Sequence, residues 1–399
     1  MKKIFTLLVL FLIIINSTNA QWVQQNSITS NTLYSVKFTS ANAGCAVGYT
    51  GTIVKTTNGG SNWAIQSSGT TNVLYSIYFA DANNAFAVGA SGKILKTTNA
   101  GSNWTAQTTG VPQDLYSVFC INANTAYTVG FNGIILKTTN GGTNWTTIVA
   151  ALNTSLFSIY FTDANTAYTV GNSGTIKKTT NAGNTWSLQT TGNTLYSVCF
   201  TDANTGYSVG SSGTILKTTD AGTNWVGLIS GTSNILTSIY FTDLNNGYTV
   251  GNSGIILKTT NAGTSWFSQY SGISTNLKSV YFTDLNTGYA VGEVGEILKT
   301  LNGGVGIIDD NKNPENNQLI VYPDPAQNKI TIKIDQVDFV NMTDLKMLIY
   351  NIQGQLISMQ SIKKPITDID ITPLSQGVYF VRLILNNGNI IQKKFVVIK

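Results

Sequence analysis

The chain has 399 residues and a formal net charge of +5, and only 10% of its residues are charged, against about 25% in an average globular protein. It contains no His, its only Arg is Arg382, and residues 21–304 hold 11 Lys against 9 Asp and Glu. This balance leaves no basic patch for nucleic acid or anionic lipid, so neither is an expected partner.

Residues 1–20 predict a secretory signal peptide. Two Lys residues precede an apolar run over residues 4–15, and Thr18 and Ala20 supply the small residues of a cleavage site before Gln21. The apolar run is shorter than the roughly 18 residues that a membrane span needs, and no later segment is long and apolar enough to cross a bilayer. We therefore expect a cleaved leader and a mature chain with no transmembrane segment.

Residues 21–304 consist of seven copies of one unit. Each copy carries the string Gly-x-Ile-x-Lys-Thr, and successive copies of its Lys are 41 residues apart, with one step of 39. These lysines are Lys55, Lys96, Lys137, Lys178, Lys217, Lys258 and Lys299. Such a period, combined with strand-like runs and Gly turns, is typical of radial or stacked repeat folds.

Turn signals divide each unit into four short strands. In the fifth copy these are Leu195–Phe200, Tyr207–Gly210, Thr214–Thr219 and a strand that opens at Trp225. Four antiparallel strands with hairpin-length turns make one propeller blade. We predict an all-β chain whose first domain, residues 21–304, is a seven-bladed β-propeller, with a solenoid as the alternative.

The Trp residues predict how the ring closes. A Trp ends six units, at Trp63, Trp104, Trp145, Trp186, Trp225 and Trp266. In the seventh unit Ile307 stands at that place, and an additional Trp, Trp22, lies near the N-terminus instead. We expect the N-terminal strand to complete the seventh blade beside Gly295–Thr300, which removes two free sheet edges.

A Ser recurs in every first strand. The seven residues are Ser35, Ser76, Ser117, Ser158, Ser197, Ser238 and Ser279. A catalytic Ser must be unique and adjacent to a base, and this chain has no His to act as one. We interpret these residues as small side chains packed near the propeller axis.

The turn after each third strand resembles the Asp-box, or bacterial neuraminidase repeat. The pattern Ser/Thr-x-Asp/Asn-x-Gly-x-x-Trp occurs in six copies, whose key residues are Asn58 and Trp63, Asn99 and Trp104, Asn140 and Trp145, Asn181 and Trp186, Asp220 and Trp225, and Asn261 and Trp266. The longer string Gly-x-Ile-x-Lys-Thr-Thr-Asn-x-Gly is similar to the photosystem II stability and assembly factor group of seven-bladed propellers. The resemblance implies that Asn or Asp caps a turn and that Trp packs between blades. The Arg-rich surface that photosystem assembly would use is absent, because residues 21–304 contain no Arg.

Enzymes with this repeat need groups that the chain does not supply. Sialidases hold their substrate with three Arg, and glycoside hydrolases need two carboxylates about 5–10 Å apart. Most acids here occupy one equivalent turn in each blade, as Asp81, Asp163, Asp202, Asp243 and Asp284 do. We therefore predict no catalytic residue, no metal and no cofactor. Asp114, Glu293 and Glu296 break the repeat, so a secreted glycoside hydrolase is the alternative.

The composition and the residue pattern of the sequence change after residue 304. Residues 305–318 are polar and predict a linker, and residues 319–399 alternate as short strands that fit a small Ig-like β-sandwich.

The same segment resembles the type A C-terminal sorting domain of type IX secretion. The matching residues are Pro323 and Pro325 in Val-Tyr-Pro-Asp-Pro-Ala, Gly354 in Tyr-Asn-Ile-Gln-Gly, Gly377 and Tyr379 in Gly-Val-Tyr-Phe, and Lys394 in the last strand. The resemblance implies passage through the periplasm, recognition by the type IX machinery, and release or attachment at the outer cell surface.

With catalysis unsupported, we expect a secreted or surface-displayed propeller that binds glycan or protein. The turns after the second strands carry different residues at equivalent places, which is how a binding face is varied. The candidate binding residues are Tyr49, Phe131, Asn172, Asn252, Glu293 and, beside them, Asp114. The alternative is that these exposed turns vary without a ligand.

Overall fold

The structure, a computed structural model, describes residues 22–149, 154–304, 319–334, 345–351, 356–384 and 390–399. These residues form two compact units, one within Gln21–Val305 and one within Gly306–Lys399. The predicted signal peptide (1–20) and linker (305–318) lie outside the described residues and stay predictions.

The first unit consists of seven four-stranded antiparallel sheets, which confirms the predicted all-β propeller. The strands of the first six sheets are in chain order, and the outermost strand of the seventh is the N-terminal strand. The first strands, which line the axis, are Leu33–Phe38, Leu74–Phe79, Leu115–Cys120, Leu156–Phe161, Leu195–Phe200, Leu236–Phe241 and Leu277–Phe282. The second strands are Gly44–Gly48, Ala85–Gly89, Ala126–Gly130, Ala167–Gly171, Gly206–Gly210, Gly247–Gly251 and Gly288–Gly292.

The outer half of each sheet completes the blade. The third strands are Ile53–Thr56, Ile94–Thr97, Ile135–Thr138, Thr175–Thr179, Ile215–Thr218, Ile256–Thr259 and Ile297–Thr300. The fourth strands of the first six blades are Ala64–Gln66, Thr105–Gln107, Thr146–Val149, Ser187–Thr190, Val226–Leu228 and Phe267–Gln269. All five residues of every second strand are buried, because neighbouring blades cover both faces of the sheet.

The ring closes through the N-terminus, as predicted. The strand Val23–Gln24 pairs antiparallel with the third strand of the seventh blade, with Val23 opposite Lys299. Trp22, just before this strand, is 1% exposed, and its indole N–H donates to Gln269 Oε1 of the sixth blade at 2.9 Å. A single segment therefore completes the seventh blade and ties it to the sixth.

The repeated Ser joins neighbouring blades at the axis. In each blade its Oγ accepts a backbone N–H from the first strand of the next blade, as Ser35 does from Ile77 at 3.3 Å. The same bond occurs at all seven interfaces and ends with Ser279, which accepts from Val36 of the first blade. Ser is repeated because it is small enough for the axis and accepts this hydrogen bond.

A second set of contacts joins the blades at their outer edges. Tyr289 in the second strand and Lys299 in the third both donate to the Gly59 carbonyl of the first blade, at 2.8 and 2.6 Å. Lys178 and Tyr168 make the same pair of bonds to Ala221. The repeated Lys is therefore an inter-blade contact.

The turns between the third and fourth strands are closed by side chains. In the first, Thr56 Oγ1 accepts the Gly60 N–H at 2.9 Å and Asn58 Oδ1 accepts the Asn62 N–H at 2.9 Å. Trp63 then packs edge-on against Phe38, with ring centroids 6.0 Å apart. The predicted fourth strand in the fifth blade begins one residue later than expected, at Val226, because Trp225 turns inward to pack on Phe200.

The second unit has two antiparallel sheets around a core of its own. One sheet contains Leu319–Tyr322, Lys329–Ile334 and Ile366–Asp370, and the other contains Leu345–Asn351, Leu356–Ile362, Gly377–Ile384 and Ile390–Val397. This arrangement agrees with the predicted Ig-like sandwich. Asp324, between Pro323 and Pro325, accepts the Val396 N–H at 2.8 Å, and Gly354 lies outside the described residues.

Candidate functional site

One end of the propeller collects the residues singled out by the sequence. We call it the turn face: it carries the seven three-residue 3₁₀ turns that follow the second strands and the starting residues of the first strands. The turns are Tyr49–Gly51, Ala90–Gly92, Phe131–Gly133, Asn172–Gly174, Ser211–Gly213, Asn252–Gly254 and Glu293–Gly295. Each turn is held to the residue that precedes the first strand of its blade, as in the bond from Tyr49 N–H to the Thr32 carbonyl at 2.8 Å.

The structure places all six predicted binding residues on the turn face. Tyr49 is 50% exposed and Phe131 is 46% exposed. Asn172, Asn252 and Glu293 are half-buried and are the first residues of three of the other five turns. Asp114 precedes the third blade, and its carboxylate accepts the Ser91 N–H of the neighbouring turn at 2.8 Å. These residues share one surface, and their role in binding stays a prediction.

Inside this outer ring lies a group of aromatic side chains that the sequence analysis did not single out. We call it the aromatic arc: Tyr34, Tyr75, Tyr116, Phe157 and Tyr196, the second residue of each of the first five first strands. Successive ring centroids are 5.3 to 5.5 Å apart. Thr237 and Lys278 occupy the same place in the last two blades and leave the arc open there.

The arc borders the mouth of a cavity along the axis. The cavity has a volume of about 410 Å³ and is lined by the first strands of all seven blades. Aromatic faces stack on sugar rings and on apolar side chains, and phenol hydroxyls add directional hydrogen bonds. The mouth therefore offers five ring surfaces within reach of one ligand.

Charged groups stand beside the arc. Lys278 Nζ lies 2.9 Å from Glu293 Oε1, and this hydrogen bond holds the pKa of the Glu293 carboxyl below its usual value. Burial, with the Asp114 carboxylate nearby, raises the pKa of Tyr75 to about 12. Burial also raises the pKa of Tyr34, so both phenols stay neutral hydrogen-bonding groups at physiological pH.

The acids that could serve a hydrolase each have a partner. Glu293 is bound by Lys278, Asp114 by the Ser91 amide, and Glu296 by the Gln24 amide at 3.0 Å. Burial raises the pKa of Glu296.

The acids repeated in five of the seven blades lie at the opposite end and cap turns. Asp163 Oδ1, for example, accepts the backbone N–H groups of Asn165 and Thr166 at 2.7 and 2.9 Å. These bonds lower the pKa of its carboxyl.

The alternation of side chains along the first strands does not predict the aromatic arc, because these strands contain a local irregularity. In every blade the register shifts between the first and third residues of the first strand, for example between Leu33 and Ser35. Period-two alternation therefore does not place the intervening Tyr. One feature of the sequence could have indicated the arc: the second residue of the first strand is aromatic in five blades and is replaced by Thr237 and Lys278 in the other two.

No helix in the described part of the chain has the length and hydropathy to span a bilayer. Among the same residues, no three His, Cys, Asp or Glu side chains lie together as a metal site would need.

Two family models match the chain. The model described as "Photosynthesis system II assembly factor YCF48" matches residues 61–194 and 187–270, and the model described as "Secretion system C-terminal sorting domain" matches residues 320–399. Among curated proteins, none matches the chain.

Several solved structures share the propeller fold. YCF48 bound to D1 peptide has a TM-score of 0.62 at 19% identity, over 70% of this chain and 97% of that one. YCF48 from Cyanidioschyzon merolae has a TM-score of 0.61 at 19% identity, over 70% of this chain and 98% of that one. The GH74 xyloglucanase from Xanthomonas campestris has a TM-score of 0.59 at 12% identity, over 79% of this chain and 60% of that one. At these identities the likeness concerns the fold alone.

Proposed function

We propose that this chain, which belongs to the photosynthesis system II assembly factor YCF48 family, is a non-catalytic binding propeller that acts outside the cell or on its surface. The C-terminal sorting domain implies that the type IX machinery exports the propeller, to a secreted or cell-surface location. The predicted signal peptide would deliver the chain to the periplasm first.

The observation that supports a binding role most strongly is the aromatic arc around the axial cavity. Its rings lie 5.3 to 5.5 Å from one another and border a concave space, which is the usual form of a ligand site. The six predicted binding residues surround the arc on the same face. The ligand is an extracellular glycan or a protein segment, since aromatic surfaces receive both.

Both ligand classes have independent support. The tilted and edge-on packing of the arc leaves ring surfaces open toward the cavity, which suits the apolar face of a sugar. A propeller of similar fold holds a peptide, which supports a protein segment as the other class. A screen must therefore present both.

The hydrolase alternative requires one acid that is protonated and a second that is ionised. Glu296 has a raised pKa and Glu293 a lowered one, but each carboxylate is occupied by a hydrogen-bond partner, Gln24 and Lys278 respectively. We propose that these contacts are structural and that the turn face binds without turnover.

A paired screen tests this function. The purified exported protein is applied to glycan and peptide arrays and, in parallel, to a hydrolysis panel of polysaccharides. We expect binding without turnover, weakened in Tyr49→Ala and Phe131→Ala because each change removes an exposed ring. Turnover that is abolished by Glu293→Gln or Asp114→Asn would overturn the proposal and make the face a hydrolase cleft.

A further inference from the structure

A second ring of side chains lines the axial cavity below the aromatic arc. We call it the lower ring: Lys37, Tyr78, Phe119, Tyr160, Cys199, Tyr240 and Tyr281, the fifth residue of each first strand. Lys37 is the only charged member. Its Nζ lies 4.9 Å from the centre of the Tyr281 ring and 5.6 Å from that of Tyr78, so the ammonium points into the cavity.

The Lys37 ammonium has no anionic partner among the described residues. The two ion pairs found there involve Lys278 and Lys329, and no hydrogen bond from Lys37 Nζ is present. Every repeated Lys of the third strands, by contrast, donates to the neighbouring blade. The Lys37 ammonium therefore has no hydrogen-bond acceptor among the described residues, and its contacts there are with the Tyr281 and Tyr78 rings.

One further donor lies beside Lys37. The hydroxyls of Tyr160, Tyr240 and Tyr281 donate to backbone carbonyls of the next blade at 3.0 to 3.1 Å. The hydroxyl of Tyr78, whose ring centre lies 5.6 Å from Lys37 Nζ, makes no such bond within the described residues. The lower ring thus holds, among the described residues, one ammonium and one phenol hydroxyl that donate no hydrogen bond to the protein.

The other titratable groups around Lys37 are neutral at physiological pH. Burial raises the pKa of the Cys199 thiol and of Tyr160 to about 12 and raises the pKa values of Tyr78, Tyr240 and Tyr281 as well. Burial lowers the pKa of Lys37 to about 8, which is still above neutrality. Near pH 7 a positive charge therefore lies in the cavity, where it contacts the Tyr281 and Tyr78 rings but no carboxylate among the described residues. An accompanying anion would lower the cost of burying this charge.

We propose that the lower ring is an anion-binding site, in which the Lys37 ammonium and the Tyr78 hydroxyl hold one small monovalent anion. The anion is either free in solution, of halide or acetate size, or a carboxylate carried by a larger ligand that enters through the mouth. The site is distinct from the aromatic arc and does not require that the arc bind a ligand.

Bromide provides the test, because it reports its position by anomalous scattering. Crystals of the exported protein are grown in sodium bromide at pH 6.5, and thermal unfolding is followed as bromide replaces a bulky sulfonate at constant ionic strength. We expect a bromide peak in contact with Lys37 Nζ and a rise in melting temperature of roughly 2–4 °C at saturating bromide. Both signals should disappear in Lys37→Met and persist in Lys37→Arg and in Lys93→Met, which removes a charge outside the cavity.

A competition experiment distinguishes an anion free in solution from a carboxylate carried by a larger ligand. Displacement of bromide by glucuronate but not by glucose would show that a ligand carboxylate reaches Lys37. Bromide binding that resists glucuronate would limit the site to free anions. The absence of a bromide peak in the cavity, or an equal melting shift in wild type and Lys37→Met, would overturn the proposal.

Discussion

Replacement of Trp22 by alanine is expected to lower the free energy of unfolding of the propeller by about 3–5 kcal/mol, the usual cost of truncating a buried Trp. Trp22 is 1% exposed and packs edge-on against Tyr248 and Phe282, with ring centroids 6.5 and 5.8 Å away. Its loss also leaves the buried Gln269 Oε1 without the indole donor. The strand that closes the ring contains only two residues, so Trp22 is its principal anchor.

Urea unfolding of the mature protein measures this effect. The matched control is Val23→Ala, in the same segment but at a side chain that is 50% exposed, where we expect a change of less than about 0.5 kcal/mol. A Trp22→Ala protein that loses less than about 1 kcal/mol would show that the ring does not depend on this closure.

Removal of residues 319–399 is expected to trap the propeller in the periplasm without unfolding it. The sorting domain has its own core, formed by residues such as Ile332, Val381 and Phe395. The truncated chain would keep its fold and lose the signal that the type IX machinery reads. The expected result is near-complete loss of the extracellular protein, with a folded pool in the periplasm.

Cell fractionation and a melting curve of the periplasmic pool measure the two parts of this result. Lys363→Ala, at an exposed position of the sorting domain, is the control and should be exported normally. Undiminished export of the truncated chain would mean that residues 319–399 are not the export signal.

The seven-fold architecture was predictable because the repeat itself encodes it. The seven copies of the 41-residue repeat give the number of blades, and the displaced Trp22 identifies the strand that closes the ring. Both are patterns in residue identity that need no knowledge of side-chain direction. The reason for the repeated Ser was only partly predictable: small size at the axis follows from the sequence, but the bond from Ser35 to the next blade depends on the register between sheets.

The candidate binding site was less predictable, because the direction of a side chain in a strand depends on the register between strands. Tyr49 and Phe131 were identifiable because turn residues are exposed by default. Tyr34 and Tyr75 lie in strands, at the register shift of each first strand, so simple alternation does not assign a side to them. Lys37 occupies a position that is aromatic in five of the other six blades, and its surroundings depend on the assembled ring.

Ligand binding at the mouth of the axial cavity is tested most directly by a titration with the best ligand from the array screen. Tyr75→Ala should raise the dissociation constant about ten-fold, corresponding to about 1.4 kcal/mol for a ring at the centre of the site. Leu244→Ala, which removes a side chain 57% exposed on the opposite face, should leave it unchanged. Equal affinities for Tyr75→Ala and wild type, or a loss confined to Leu244→Ala, would contradict the account.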